Sequence, residues 1–552
     1  MPTSSRAMLS VLTDHGVDRV FLVPGESYLG ILDALHDTPA IDVVTCRHEA
    51  GAGFMALTDG RLTGRPGVAL VSRGPGASNA AIAVHTAEQD GVPMILIVGQ
   101  VPRADLRREA FQEIDYQRMY GGIAKWVFEA TEPGQLAEAA FKAVRISMSG
   151  TPGPVVLVVP EDIQQQSVEQ HGSRLPAWRA EAHASTRPDD ATLQQLRRRI
   201  EAAERPLVIA GGCFERAGGR EALRALAEAW QIPVALSFRR HDLFDNRHPL
   251  YAGDLGLANP QAQIDAFRDS DLLLALGTRL GDITSQGYRF PDLPRPAQTF
   301  VHAYPDAHIV GLHFAADFGL VCDPVELARA LTPAETAAIA PARKAWAARI
   351  GAIHQAHAAW PRPKPVKGID FTQVVRALRA QVRADAILCV DAGSFAAPVY
   401  RHFGFVPPQR LMSPIAGSMG YGAPAAIAAQ LRHPGRQVVC LVGDGGFMMT
   451  GNEMIAAAER KLPILFILSN NASYASIRIQ QEKHYPGRVS GTDLFNPDFA
   501  AIARAFGMDA QCIEEPGEVE GALRRGLAAN APAFIEMKTS LAAALPGAER
   551  QD

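Results

Sequence analysis

The sequence predicts an α/β protein of three domains, each with a parallel sheet covered by helices. Short apolar runs alternate with Ala- and Leu-rich helical stretches from end to end, as in parallel sheets buried on both faces. A length of 552 residues exceeds what one hydrophobic core normally holds. Two polar stretches interrupt the pattern and divide the chain into thirds of ordinary domain size.

The alternation is clearest in the first two thirds of the chain. The apolar runs include Val20–Val23, Val68–Ser72, Met94–Val98 and Val155–Val159, and the helical patterns include Gln194–Ala203 and Arg220–Trp230. Glycines follow two later apolar runs, Pro206–Gly212 and Leu272–Gly277, which suggests a Rossmann-like layer in the middle of the chain.

Two stretches are predicted to be linkers. Gln164–Asp190 is polar and lacks a strand pattern, and Trp360–Lys367 is rich in proline, which favours an extended backbone. We therefore expect an N-terminal domain over residues 1–165, a central domain over 190–335 and a C-terminal domain over 366–545.

Charge and composition exclude several classes of protein. The 54 basic and 58 acidic residues give a net charge of −4 without blocks of one sign, so no nucleic acid or anionic membrane surface is expected as a partner. No apolar run approaches the roughly 20 residues that span a bilayer. The six cysteines form no C-x-x-C pair, and charged residues interrupt the apolar residues near the start. We expect reduced thiols, no secretory signal and a cytoplasmic protein.

The most informative segment is Val438–Asn471. One apolar strand ends in Gly443-Asp444-Gly445, and a second ends in Asn470-Asn471. Asp444 offers a carboxylate and Asn471 an amide oxygen, which are ligands that Mg²⁺ accepts, and the glycines let backbone N–H groups approach a phosphate. An ordinary strand–turn–helix would explain the first motif alone, but the pair favours a magnesium–phosphate site.

This pair of motifs resembles the signature of thiamine-diphosphate enzymes, and G-D-G-G-F-M-M-T-G-N-E-M is similar to its acetolactate synthase form. The resemblance implies that Mg²⁺ is bound by the side chains of Asp444 and Asn471 and the backbone carbonyl of Ser473, with the diphosphate against Gly443, Asp444, Gly445 and Gly446.

A second motif reads H-E-A-G-A at His48–Ala52. By themselves, Glu49 is an ordinary acid at a helix start and His48 a packing or capping residue. In the family, the glutamate of H-E-x-x-A binds N1′ of the aminopyrimidine ring and favours the imino tautomer that deprotonates C2 of the thiazolium. The resemblance therefore implies that Glu49 is the catalytic residue.

A third motif, A-G-S-M-G-Y-G-A-P at Ala416–Pro424, resembles the family's A-G-x-M-G-x-G-x-P. The resemblance implies that the Met419 side chain supports the bent cofactor and that the Gly417 carbonyl holds the 4′-amino group. Plain core filling by a flexible methionine is the alternative.

Further matches concern the substrate. Ser72–Asn79 resembles S-G-P-G-A-T-N, and Ala110–Glu113 matches A-F-Q-E. The resemblance implies that Phe111 lines an apolar acceptor pocket, that Gln112 binds a carbonyl or hydroxyl and that Lys125 attracts a carboxylate. Each of these residues alone would more often be structural or on the surface.

Departures from the acetolactate synthase pattern concern the flavin and the second substrate. Thr151 stands where the family has a flavin-contacting arginine, and Leu280–Thr284 lacks another arginine. Where the family has G-Q-H after an aspartate, this chain has Asp391-Ala392-Gly393-Ser394-Phe395. We therefore expect a protein without FAD. Arg239, Arg240 and Arg279 follow glycine turns or strands of the central domain and could clamp a nucleotide phosphate of ADP, CoA or FAD, or form surface ion pairs.

The resemblance covers nearly the whole chain and implies a homodimer or homotetramer that decarboxylates a small 2-oxo acid and transfers or releases the acyl unit. An acyl-CoA lyase or decarboxylase and a flavin-dependent 2-oxo acid oxidase are alternatives within the same cofactor class. A catalytically silent regulatory relative is the non-enzyme alternative, against which the presence of Glu49, Asp444 and Asn471 argues.

Overall fold

A computed structural model describes residues 1–168, 185–333, 340–363 and 366–545. It contains three six-stranded sheets with helices between most successive strands, which confirms the predicted α/β class. The chain forms two compact units, one over Met1–Ala182, Pro363–Ala396 and Met412–Asp552, and the other over His183–Arg362 and Ala397–Leu411. Within the described ranges, no helix has both the length and the apolar character needed to cross a membrane.

The N-terminal sheet has the strand order β2-β1-β3-β4-β6-β5. Its strands are β1 (Arg19–Leu22), β2 (Asp42–Thr45), β3 (Gly67–Val71), β4 (Met94–Gln100), β5 (Trp126–Glu129) and β6 (Pro154–Pro160). The helices around it are α1 (Ser4–Asp14), α2 (Leu29–His36), α3 (Glu49–Thr63), α4 (Pro75–Asp90), α5 (Tyr116–Tyr120) and α6 (Gln135–Met148). Every residue of β3, β4 and β6 is buried, which explains their unbroken apolar sequences.

The central sheet has the order β12-β11-β10-β7-β8-β9, which is the 3-2-1-4-5-6 order of Rossmann folds read from its other edge. Its strands are β7 (Pro206–Ala210), β8 (Val234–Leu236), β9 (Tyr251–Asp254), β10 (Leu272–Leu276), β11 (Thr299–Tyr304) and β12 (Phe318–Val321). Its helices are α7 (Asp190–Ala202), α8 (Gly219–Trp230), α9 (Gln261–Arg268), α10 (Pro324–Leu331) and α11 (Pro341–Ala358). The predicted Rossmann-like layer is confirmed.

The C-terminal sheet has the order β14-β13-β15-β16-β18-β17, the same relative order as the N-terminal sheet. Its helices are α12 (Phe371–Gln381), α13 (Ala397–His402), α14 (Gly422–Arg432), α15 (Asp444–Thr450), α16 (Met454–Glu459), α17 (Ala475–His484), α18 (Phe499–Ala505), α19 (Val519–Leu527) and α20 (Leu541–Ala544). Its strands are β13 (Ile387–Val390), β14 (Arg410–Met412), β15 (Val438–Gly443), β16 (Ile464–Asn470), β17 (Asp509–Ile513) and β18 (Ala533–Lys538).

Helices α3 and α14 join the two outer sheets within one compact unit. Alanines and glycines along both helices allow close approach, and their buried apolar residues belong to one continuous core. At the contact, Thr58 Oγ1 donates to the hydroxyl of Tyr421 at 2.9 Å, and Tyr421 meets the ring of Phe54 edge-on. The start of α3, where Glu49 lies, is therefore held against the C-terminal domain.

Of the predicted linkers, most of Gln164–Asp190 lies outside the described residues. The described part of Trp360–Lys367 contains no helix or strand, as expected from its prolines. All six cysteines are unpaired, and four of them are buried, in agreement with the expected reduced thiols.

Candidate cofactor and active site

Asp444 and Asn471 come from neighbouring parallel strands. β15 and β16 are paired with Gly443 opposite Ser469, so the residues that follow them emerge at the same sheet edge. Asp444 is the first residue of α15 and is buried, while Asn471 directly follows β16. Burial raises the pKa of the Asp444 carboxyl, against hydrogen bonds from Gly445 and Asn496 that lower it.

Asn496 connects these strand ends and was missed by the sequence analysis. Its Nδ2 donates to Asp444 Oδ2 and to Asn470 Oδ1, both at 2.9 Å. Asn470 in turn donates to the buried carboxylate of Glu536 at 2.7 Å. We call Asp444, Asn470, Asn471 and Asn496 the diphosphate cluster; its hydrogen bonds fix the orientation of the Asp444 carboxylate.

A sharp turn at Asn471–Ser473 brings further oxygen atoms to the diphosphate cluster. Ala472 has a positive φ of 53°, which folds the chain so that Asn471 Oδ1 accepts the N–H of Ser473 at 3.1 Å. Ser473 Oγ donates to the carbonyl of Thr492, so the Ser473 backbone is fixed. The Ser473 carbonyl accepts the N–H of Ala475 at 2.7 Å and keeps a second lone pair.

The diphosphate cluster suits a magnesium–phosphate group. A carboxylate, an amide oxygen and a backbone carbonyl form a set of hard oxygen donors. No group of three His, Cys, Asp or Glu side chains in the described ranges could hold a metal, so a metal here would need amide, carbonyl and phosphate oxygens. A Cβ on Gly445 would lie 2.4 Å from the Tyr474 ring, so the backbone there is closely approached and requires glycine.

The Met419 turn lies beside the diphosphate cluster. Gly417 and Gly420 both have positive φ, and Thr450 Oγ1 donates to the carbonyl of Gly420 at 2.5 Å. Met419 is half-buried, and its Cε would lie 3.4 Å from a Cβ placed on Gly445. The structure thus brings the methionine and the G-D-G glycines together, as their predicted roles require.

Glu49 forms a second cluster, which we define as Glu49, Gly76 and Asn79 and call the Glu49 cluster. Glu49 Oε2 accepts Asn79 Nδ2 at 2.9 Å, and Oε1 lies 3.2 Å from where a Cβ of Gly76 would be. His48 caps α3 by accepting the N–H of Ala50 through Nδ1. His48 is therefore a capping residue, one of the two structural roles expected from the sequence. Glu49 is a half-buried carboxylate at a helix start.

Of the predicted substrate residues, Gln112 lies next to this cluster. Its carbonyl would be 2.6 Å from a Cβ on Gly74, two residues before Gly76, and Gln112 itself has a positive φ of 65°. Phe111 is exposed over 77% of its surface. Lys125 lies elsewhere: its ammonium donates to the carbonyls of Ser149 and Thr151, the latter at 2.8 Å.

The predicted nucleotide-binding arginines lie in the central domain. Arg240 is buried, forms an ion pair with Glu215 at 3.5 Å and packs over Gly212, whose Cβ would lie 3.0 Å from its Nε. Gly212 follows β7, and strand order reverses between β7 and β10, where dinucleotides bind in such sheets. Arg239 instead stacks on the rings of Phe238 and Tyr400. Arg279 is half-buried.

Comparisons with known proteins match all three domains of the chain. The description "Thiamine pyrophosphate enzyme" matches residues 2–119 as the N-terminal TPP binding domain, 193–331 as the central domain and 391–537 as the C-terminal TPP binding domain. The acetolactate synthase large subunit of Parasynechococcus marenigrum (strain WH8102) is 32% identical over 97% of this chain and 87% of its own length.

The acetolactate synthase large subunit of Corynebacterium glutamicum is 31% identical over 95% of this chain and 84% of its own length. The acetolactate synthase isozyme 2 large subunit of Escherichia coli (strain K12) is 29% identical over 96% of this chain and 94% of its own length. The three domains of the fold, in the same order, are thus those of one enzyme family. The chain belongs to the thiamine pyrophosphate enzyme family, related over nearly its full length to acetolactate synthase large subunits.

Proposed function

We propose that this enzyme uses thiamine diphosphate and Mg²⁺ to decarboxylate a small 2-oxo acid and to transfer or release the acyl unit, as an acetolactate synthase-like enzyme. The observation that carries the proposal is the buried Asp444 beside Asn471 at adjacent strand ends, in a chain that also carries Glu49 at a helix start. Relatives named acetolactate synthase over nearly the whole length support it.

In this proposal, Mg²⁺ is bound by Asp444, Asn471 and the carbonyl of Ser473. The backbone of Gly443, Gly445 and Gly446 lies against the diphosphate, where the lack of side chains permits close approach. Asn496 holds the Asp444 carboxylate in place through its hydrogen bond at 2.9 Å.

Thiamine diphosphate, when bound, supplies a nucleophilic carbon and an electron sink for the electrons released by decarboxylation. Glu49 holds a proton at N1′ of the aminopyrimidine, and Asn79 orients its carboxylate. Met419 would lie against the bound cofactor, and the Gly417 carbonyl would accept a hydrogen bond from its 4′-amino group. The positive φ of Gly417 supports that arrangement, since it turns the backbone away from the regular strand direction.

We further propose that each active site is shared between two copies of the chain, with a homodimer or homotetramer as the assembly. Four exposed apolar side chains lie close in sequence to residues of the diphosphate cluster, and two others lie close in sequence to Asn79 or Gln112. The first group is Met448, Met449, Ile477 and Phe495, and the second is Ile82 and Phe111. Apolar side chains gathered at functional residues are typical of surfaces that become covered.

For the substrate, we propose that Phe111 and Gln112 face the acyl acceptor, because Gln112 lies beside the turn that carries Gly76. We propose that Lys125 attracts a substrate carboxylate. To do so, its ammonium has to leave the backbone carbonyls that it binds in this structure. We propose the domain bounds 1–165, 190–335 and 366–545 and a cytoplasmic location, in line with six unpaired cysteines.

We propose that FAD is absent, because Arg240 packs over the glycine turn where a dinucleotide would approach and Thr151 stands in place of an arginine. The second candidate function is that of an acyl-CoA lyase or decarboxylase, for which Arg239 and Arg279 of the central domain are the candidate phosphate partners. A flavin-dependent 2-oxo acid oxidase would need FAD in that domain.

A substrate screen tests the proposal. Purified protein with thiamine diphosphate and Mg²⁺ would be incubated with 2-oxo acids and with 2-hydroxyacyl-CoAs, and carbon dioxide, aldehydes and ketols would be measured. We expect carbon dioxide from a 2-oxo acid, with ketol formation when an acceptor is present. Turnover confined to the acyl-CoAs would favour the second candidate, and no turnover of either class would contradict both.

A further inference from the structure

Glu453 is a fully buried carboxylate of the C-terminal domain that reaches the N-terminal domain. Its oxygens accept the backbone N–H of Arg47 at 3.0 and 3.2 Å and that of His48 at 2.8 Å. These two residues immediately precede Glu49, the first residue of α3. The carboxylate therefore binds the strand-to-helix connection from which Glu49 projects.

Gly51 makes this contact possible. A Cβ at that position would lie 2.5 Å from Glu453 Oε1 and 2.6 Å from its Cγ, closer than real side chains pack. Glycine is a much poorer helix former than alanine in a helix interior. Alanine would be the better helix former at position 51, but glycine leaves room for the Glu453 carboxylate.

The chain also ties Glu453 to the diphosphate cluster. Asp444 begins α15, and the short 3₁₀ turn Gly451–Glu453 follows that helix directly. Thr450, the last residue of α15, donates to the carbonyl of Gly420 next to Met419. One continuous segment therefore begins at a proposed magnesium ligand and ends at the connection that carries Glu49.

Electrostatics add a second link between Glu453 and Glu49. Burial raises the pKa of Glu453 to about 7, the N–H groups of Arg47 and His48 oppose that rise, and the charge of Glu49 adds to it. The positive charge of the Arg47 guanidinium lowers the pKa of Glu453, and the negative charge of Glu453 raises the pKa of the Cys46 thiol. The charge of Glu49 therefore opposes ionisation of the Glu453 carboxyl, in addition to the effect of burial.

We propose that Glu453 is a positioning residue for Glu49: by holding the N–H groups of Arg47 and His48, it sets the direction in which the Glu49 carboxylate meets the cofactor ring. The inference rests on the proposed function of Glu49 and adds a residue from the other end of the chain. Glu453 itself touches neither the ring nor the substrate in this scheme.

Two variants test the inference. Glu453→Gln keeps the size of the side chain but removes its charge and replaces one of the two oxygens that face the Arg47 N–H by an NH₂ group that cannot accept it. Gly51→Ala leaves Glu453 in place but introduces the Cβ that would collide with it. The control is Glu459→Gln, an exposed glutamate of α16 that lies 3.7 Å from the Arg47 guanidinium rather than its backbone.

Three measurements are made on each full-length variant. Amide hydrogen exchange over residues 44–52 without cofactor reports the contact; calorimetry reports thiamine diphosphate affinity; and exchange of the cofactor C2 proton reports the action of Glu49. We expect amide exchange at Arg47 and His48 to be at least about tenfold faster, as for a lost hydrogen bond to a charged group. C2 exchange should be at least about tenfold slower, with affinity unchanged, and the control should resemble the wild type.

Several results would overturn the inference. Protected amides at Arg47 and His48 in both Glu453→Gln and Gly51→Ala would show that the contact does not hold the connection. Wild-type C2 exchange in both variants, despite faster amide exchange, would show that the contact does not act on Glu49. If the wild type itself neither bound thiamine diphosphate nor accelerated C2 exchange, the proposed function would be wrong. The amide exchange data, which need no cofactor, would still show whether Glu453 holds the Arg47–His48 connection.

Discussion

The carboxylate of Asp391 accepts the backbone N–H of Gly420 through both oxygens, each at 3.0 Å. Asp391 follows β13 and is fully buried, and its Oδ2 would lie 2.8 Å from a Cβ on Gly446. It therefore fixes the turn that carries Met419 and packs against the backbone of the G-D-G segment. A side chain outside every recognised motif thus aligns two of them.

The first prediction concerns Asp391 and pH. Burial raises the pKa of its carboxyl from 3.8 to about 6, so the folded state keeps this proton at a pH where the unfolded chain has lost it. Asp391 stabilises the folded state most below about pH 4. Its contribution to the free energy of unfolding falls by about 3 kcal/mol as the pH rises to about 6. Asp391→Asn lacks this dependence.

Calorimetric unfolding of wild type and Asp391→Asn at several pH values between 4 and 7 checks it. The stability advantage of the wild type over the variant should shrink with rising pH up to about 6 and then stay constant. An advantage that grows or stays level across that range would contradict the pKa assigned to Asp391.

The second prediction concerns the metal ligand. Asp444→Ala removes the carboxylate of the proposed magnesium site and should weaken thiamine diphosphate binding by at least about one order of magnitude. The fold should remain largely intact, because the β15 strand and the α15 helix retain their own backbone hydrogen bonds. Titration calorimetry measures the affinity, and Asp509→Ala, an exposed carboxylate in the same domain, serves as the control. Equal affinities in the two variants would remove Asp444 from the site.

The third prediction concerns assembly. Glu49→Gln and Asp444→Ala should each be inactive as homodimers, because each lacks one half of every shared site. A mixed dimer contains one site with both defects and one with neither, so co-refolded chains should regain activity in proportion to the mixed fraction. Glu49→Gln alone should still bind the cofactor while its C2 exchange slows by orders of magnitude. Inactive mixtures that nevertheless form dimers would mean that the site is not shared.

The fourth prediction concerns flavin. The purified protein should show no flavin absorbance, because Arg240 and Glu215 pair at the glycine turn of the central sheet and Thr151 offers no guanidinium. A visible spectrum before and after denaturation checks this, with added FAD removed by gel filtration as the control. A stoichiometric yellow chromophore would contradict the prediction and favour the flavin-dependent candidate.

The fold class and the cofactor motifs could be predicted because they depend on local sequence. A few consecutive residues are enough to recognise a buried strand such as Met94–Gln100 or the G-D-G turn at Gly443–Gly445. Asn496 and Glu453 could not be predicted to act at the site. Their roles come from contacts with residues distant in sequence, such as Asn496 with Asp444 and Glu453 with His48.

The matching strand order of the two outer sheets also escaped sequence analysis, because the crossovers between strands are not visible in hydrophobic patterns. That match extends to the helices. In each sheet the helix after the second strand, α3 or α14, packs against its counterpart. Glu49 begins the first of these helices, and Met419 lies just before the second. The two residues proposed to contact the cofactor ring thus occupy corresponding places in the two outer domains, so that one arrangement of strands and helices serves both sides of the proposed site.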